Sequence, residues 1–111
     1  MWPYRANLAA TGLARATLAT GNPRYVDGAW RWLDWYQAHE GPTGAVTDYQ
    51  VVGGGERSTG TEDSTNAYAE TFLSAVEAAH VADPGATRLT ALQGGLAGAV
   101  RAIEAARTPT S

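Results

Sequence analysis

Two rigid turns some sixty residues apart constrain this chain more than anything else in it. In Gly21-Asn22-Pro23 a glycine stands just beyond a helix C-terminus, an asparagine is placed to cap the next helix, and a proline occupies its first position, where the missing N-H costs nothing. Asp83-Pro84 does the same work later, ending one helix and starting another. Between these turns residues 40–63 form a long connection rich in Gly and Thr. Links within each helix pair are short and the link between pairs is long. One end of the helices is therefore trimmed and the other elaborated. The pattern predicts an all-α chain: four helices in two α/α hairpins, with a long loop between them.

The first helix is expected from about Tyr4 to Ala19 and carries Leu8, Leu13 and Leu18 among small residues. The second, about Pro23 to His39, sets Val26, Ala29, Trp30, Leu33 and Tyr36 at spacings of three and four, the mark of one buried stripe. Arg24, Asp27, Arg31 and Asp34 occupy its opposite, solvent-facing side. The third, about Ser64 to Val81, buries Tyr68, Phe72, Leu73 and Val76. The fourth, about Ala86 to Ala106, places Leu89, Leu92, Leu96, Val100 and Ile103 on one stripe. Its Gly94, Gly95 and Gly98 each weaken a helix by up to ~1 kcal/mol relative to Ala, which points to a close-packed neighbour there. Within the long connection, Ala45–Val52 reads as a short β segment ending at a Gly53-Gly-Gly55 tip.

The 111 residues fit one small domain. Its apolar share, 44%, leans on alanine, so the helices must pack closely. The net charge is -3 and every one of the eight basic residues is Arg, spread along the chain. That balance offers nothing to nucleic acid or to an anionic membrane. Cysteine is absent, which excludes disulfides and thiolate metal sites. Lysine is absent too, which excludes Schiff-base chemistry. His39 and His80 lack metal-ligand spacing, and neither a nucleophile elbow nor a phosphate loop is present. No metal or cofactor is expected. The N-terminus lacks the basic-then-apolar run of a signal peptide, and no stretch reaches the ~20 apolar residues of a membrane span, so the chain as written reads as cytoplasmic.

Helices two and four have one-sided amphipathic faces and are expected outside; one and three carry fewer charges and are expected inside. A faint repeat supports the pairing, with Ala9, Thr11 and Leu13 recurring as Ala69, Thr71 and Leu73, and Pro23 as Pro84. The N-termini of the inner helices then share a rim with the long loop. The rim collects Trp2, Tyr4, Asn7, Asp48, Tyr49, Glu56, Glu62, Asp63, Ser64 and Tyr68. Its richest stretch is Gly60-Thr-Glu-Asp-Ser-Thr-Asn-Ala-Tyr68, which opens the third helix with carboxylates where backbone N-H groups favour anions. The plainer role of Asp63 or Ser64 is a helix cap.

In their order along the chain, Tyr4-Arg-Ala-Asn-Leu-Ala-Ala10, Tyr25-Val26, Trp32-Leu-Asp-Trp-Tyr36, Gly44-Ala-Val-Thr-Asp-Tyr49 and Asp63-Ser-Thr-Asn-Ala-Tyr-Ala-Glu-Thr-Phe-Leu73 resemble the six-hairpin glycosidase-like superfamily. In these α/α toroids, outer and inner helices alternate around a central cleft. The resemblance implies a partial α/α toroid of two hairpins where a ring needs about six, hence a segment of a longer carbohydrate-active protein. It also implies a saccharide cleft at the N-terminal ends of the inner helices, and glycosidase-like hydrolysis only for the complete ring.

Glycoside hydrolysis by the usual route needs one carboxylic acid to protonate the leaving oxygen and a second carboxylate as base or nucleophile. Asp48, in an apolar segment that would raise its pKa, and Asp63, at a helix start that would keep it ionised, suit such a pair. Each has a plainer role, Asp48 as a backbone-bonded loop carboxylate and Asp63 as a cap. Glu56 beside Arg57 reads as a solvated pair, and Glu62 as the partner of Thr59 in a capping box. Trp2, Tyr4, Asn7, Tyr49, Glu56, Glu62, Ser64 and Tyr68 are the substrate-binding candidates. Trp30, Trp32 and Trp35 are expected to serve packing. Two other readings stand beside hydrolysis: a non-catalytic helical module that binds saccharide or self-associates, and a toroid lyase or epimerase.

Overall fold

The computed structural model of the chain describes residues 3–41, 44, 46, 49–52, 55–58 and 65–107. Among these residues there are five helices, α1 (Pro3–Thr20), α2 (Pro23–Ala38), α3 (Thr65–Ala82), α4 (Ala86–Ala91) and α5 (Gln93–Arg107), with strands β1 (Tyr49–Val52) and β2 (Gly55–Ser58) between α2 and α3. The chain is thus of the all-α class with one two-stranded antiparallel ribbon, in which Tyr49 pairs with Ser58 and Val51 with Glu56. Of the expected β segment Ala45–Val52, Tyr49–Val52 is a strand, and a second strand follows it. Among the described residues no helix is long and apolar enough to cross a membrane.

The turn between α1 and α2 is built as the sequence dictates. Gly21 takes φ +74° and its N-H returns to the Thr17 carbonyl at 2.8 Å. The Asn22 side chain accepts the Arg24 N-H at 3.0 Å, capping α2 with Pro23 at its start. Thr17 fastens the corner from below, donating to the Asn22 carbonyl and accepting the Val26 N-H. With Thr17 beside Val26 and Asn7 beside Trp32, α1 and α2 run antiparallel.

α1 and α3 lie side by side and run parallel: Asn7 near the start of α1 bonds Tyr68 and Thr71 near the start of α3, while Leu18 and Val81 share a groove at their far ends. α2 and the α4–α5 rod cover one side of this pair and also share a direction. Trp30 meets Asp83 and Arg88, and further along Gln37 meets Ala91 and Gly95. The molecule is 20 Å across its thin direction, the thickness of two helix layers at the usual 8–10 Å spacing.

The core sits between the layers. Val26, Ala29, Trp30, Leu33 and Tyr36 of α2 are its large components, with Tyr36 stacked on Phe72 at 4.3 Å between ring centroids. Asp27, Arg31 and Asp34 are exposed, as the amphipathic pattern of α2 requires. α1 contributes small or polar residues, Asn7, Ala10, Ala14 and Thr17, whereas Leu8 and Leu18 face solvent. In α3, Tyr68, Phe72 and Val76 are buried and Leu73 half-buried.

The expected fourth helix is two helices. At Leu92 the chain turns, its N-H bonding the Leu89 carbonyl at 3.1 Å. The cause is a side chain inserted into the helical ladder. The Gln37 amide donates to the Ala91 carbonyl at 2.9 Å and accepts the Gly95 N-H at 2.8 Å, bridging the two groups that a continuous helix would join directly. A Cβ on Gly95 would stand 2.8–2.9 Å from Gln37, so glycine is required there, and Gly98 likewise makes room for Glu40. Gly94 has open space around it. The buried face of α5 is consequently small, Gly95, Gly98, Ala99 and Ala102, while Val100 of the expected apolar stripe is exposed.

Candidate functional site

The end of the slab where α1 and α3 begin and α2 finishes is held by one polar network. The Asn7 amide donates to the Tyr68 carbonyl at 2.9 Å and to the Thr71 hydroxyl at 3.0 Å, and accepts the Trp32 indole N-H at 2.8 Å. Thr71 in turn donates to the Ala67 carbonyl at 2.7 Å. Asn7 is fully buried, and both of its amide hydrogens are spent on α3. Three helices thus converge on one side chain. Such a satisfied buried amide fixes their relative register.

Beside this network lies a second, unsatisfied group. Tyr36 is completely buried and, among the described residues, its hydroxyl has no hydrogen-bond partner. Burial, with the Glu40 carboxyl and the Tyr68 phenol nearby, pushes its pKa well up, so it stays a neutral phenol. Glu40, half-buried just past the end of α2, packs its carboxyl against Gly98 of α5, with Oε2 buried and without a hydrogen-bond partner among the described residues. Desolvation raises its pKa from 4.5 to about 7, opposed in part by the Arg101 guanidinium. Gly44 closes over the same spot at φ +85°, its backbone so close to Gly98 that any side chain would strike the Gly98 carbonyl. Chemically, Glu40 is a carboxyl able to hold or release a proton near neutrality. The cluster joins α2 and α5.

Of the residues singled out in the sequence, Tyr4 is exposed on the first turn of α1, Asn7 is buried in the network, and Tyr68 is almost buried at the start of α3. Those three share the expected end of α1 and α3. Tyr49 and Glu56 are described as strand backbone, Tyr49 opposite Ser58 and Glu56 opposite Val51. Trp2, Asp48, Glu62, Asp63 and Ser64 lie outside the described residues, and with them both carboxylates expected to act as acid and base. The three tryptophans given to packing do pack. Trp30 is fully buried, with its indole N-H on Asp83, and Trp32 stacks on Trp35 at 4.8 Å. His39 stacks on Trp35 and its Nδ1 meets the Trp35 carbonyl at 2.7 Å, at the C-terminal end of α2 where a histidine complements the helix dipole.

Sequence reasoning missed Glu40 and Tyr36 as a polar pair. One signal was present: an acidic residue just beyond a helix C-terminus opposes the dipole and needs another reason to be there. Tyr36 fell within the apolar stripe and was legible only as core.

Set beside known proteins, the chain matches no family model, no curated protein and no solved structure.

Proposed function

We propose that the chain is an arc of an α/α toroid from a carbohydrate-active protein, in which α1–α2 and α3 with α4–α5 form two successive hairpins. The saccharide rim lies at the N-terminal ends of α1 and α3. One observation carries this reading: α1 and α3 are parallel neighbours locked by Asn7 to Tyr68 and Thr71, with α2 packed against both and α5 against α3 and α2. This alternation of inner and outer helices, repeated with a common direction, is what a ring of hairpins requires. The chain's long excursion, including β1 and β2, joins α2 to α3 at the end where both inner helices begin, so the rim is where loops accumulate. In the complete ring the chemistry is hydrolysis of a glycosidic bond, with Asp48 as proton donor and Asp63 as its ionised partner.

Burial of Asn7 and near-burial of Tyr68 favour a second reading, a non-catalytic saccharide-binding module, because two rim residues are committed to packing. Thermal melts of the chain across a panel of mono- and oligosaccharides test both. An upward shift that Asp48→Asn and Asp63→Asn abolish with helix content unchanged supports the hydrolase arc. A shift indifferent to both substitutions supports the binding module, and no shift with any saccharide overturns the rim.

A further inference from the structure

The side of α1 and α3 turned away from α2 and α5 is uncovered. Four large apolar side chains that the chain leaves exposed belong to this pair: Tyr4, Leu8, Leu18 and Val81, with Leu18 and Val81 more than half exposed at 56% and 59%. Tyr4, Leu8, Thr11, Arg15 and Leu18 recur at the three- and four-residue spacings of one helical stripe. Between the helices runs a groove of about 340 Å³, lined on α1 by Thr11, Arg15 and Leu18 and on α3 by Ser74, Glu77 and Val81.

The two walls match level by level. The bonds from Asn7 to Tyr68 and Thr71 set α3 61 to 64 positions ahead of α1. Thr11 therefore stands level with Ser74, Arg15 with Glu77, and Leu18 with Val81. Arg15 and Glu77 are both exposed, and among the described residues no ion pair joins them. Each wall thus presents a hydroxyl, then a charge, then an apolar side chain, and the two charges are opposite in sign. A two-fold axis lying along the groove carries α1 of one copy onto the position facing α3 of another, in the same direction and at the same level. That operation pairs Arg15 with Glu77 twice and Leu18 with Val81 twice.

We propose that the α1–α3 face is a homodimer interface, in which a second copy of this chain seats on the groove through reciprocal Arg15–Glu77 and Leu18–Val81 contacts. This stands apart from the rim reading: a complete ring would turn this face to its centre, so the dimer belongs to these two hairpins by themselves. The same axis leaves the N-terminal ends of all four inner helices at one end of the dimer. The apolar residues supply the buried area, and the charge pairs choose the partner and its register.

Sedimentation equilibrium on the full chain tests the proposal. A dimer is expected. Arg15→Glu or Glu77→Arg alone should raise the dimer Kd by about tenfold or more, because like charges then face each other twice. The double variant Arg15→Glu/Glu77→Arg should return it to within about threefold. Both residues are exposed, so helix content by circular dichroism should stay constant across the set. Leu18→Glu provides an apolar counterpart and should also weaken the dimer. A monomer at every concentration, a dimer indifferent to single reversals, or a double variant as weak as the singles would each overturn the interface.

Discussion

Asn7 and Glu40 lie near the same end of the slab and represent opposite treatments of a polar group. Asn7 is buried with its hydrogen bonds made; replacing it with alanine removes all three side-chain contacts and leaves the Trp32 indole N-H and the Tyr68 carbonyl without that partner. Asn7→Ala is expected to cost about 2–4 kcal/mol in chemical denaturation, more than a surface asparagine would. Glu40 is partly buried, with an oxygen that no described residue bonds, and its sign with pH follows. The folded chain holds the Glu40 proton up to about pH 7 whereas an ordinary carboxyl releases it near 4.5, so the folded state binds more protons across that interval. Its contribution is most favourable below the lower value and is lost as pH rises through the upper one. Glu40→Gln should flatten stability between these values and raise it at pH 8 by about 1–2 kcal/mol, allowing for the partial solvent access of the carboxyl. A variant that melts with the same pH slope as the parent would remove Glu40 as the cause. Among the described residues, Arg101 on α5 and Tyr36 on α2 are the titratable groups that face it.

At the scale of elements, the glycines of α5 separate two explanations of why that rod is broken. Low helix propensity alone predicts that alanine at either Gly94 or Gly95 stabilises by up to ~1 kcal/mol. The Gln37 bridge predicts opposite signs: a gain for Gly94→Ala, which has room, and a loss for Gly95→Ala, whose Cβ would stand 2.9 Å from the Gln37 Cβ and Cγ. Thermal melts of the two variants decide between them. The same contrast explains how much of the fold could be read from the sequence. The buried stripe of α2 was legible residue by residue because its large side chains repeat at helical spacing. So was the α1–α2 corner, because Gly21, Asn22 and Pro23 act on their own backbone. The break at Leu92 was not legible, since it depends on Gln37, more than fifty residues away in sequence. For the site, the shared end of α1 and α3 was inferred from loop lengths, but the burial of Asn7 depends on Trp32 and Thr71, which no local pattern links.

At the scale of the whole molecule, a slab two helices thick covers only one side of α1 and α3. Its outward apolar residues are the direct result, and so is the use of Asn7, Ala10, Ala14 and Thr17 where a thicker protein would put leucine. Small residues bring the helix axes close, so the layers are held by close approach as much as by apolar area. The saccharide and dimerisation tests act on different parts of this slab, its end and its open face. The Gly44–Gly98 contact has a consequence for how such a chain can change. Together with the fully buried Val46 it pins the point where the chain leaves the helices, and α3 takes the chain back at Thr65. Because loop closure costs only about 0.6 kcal/mol per doubling of length, the stretch between those two anchors can be lengthened, shortened or exchanged while the helical frame keeps its register. The clasp makes the frame a holder for interchangeable inserts, in which a new specificity can be grafted without redesigning the helices.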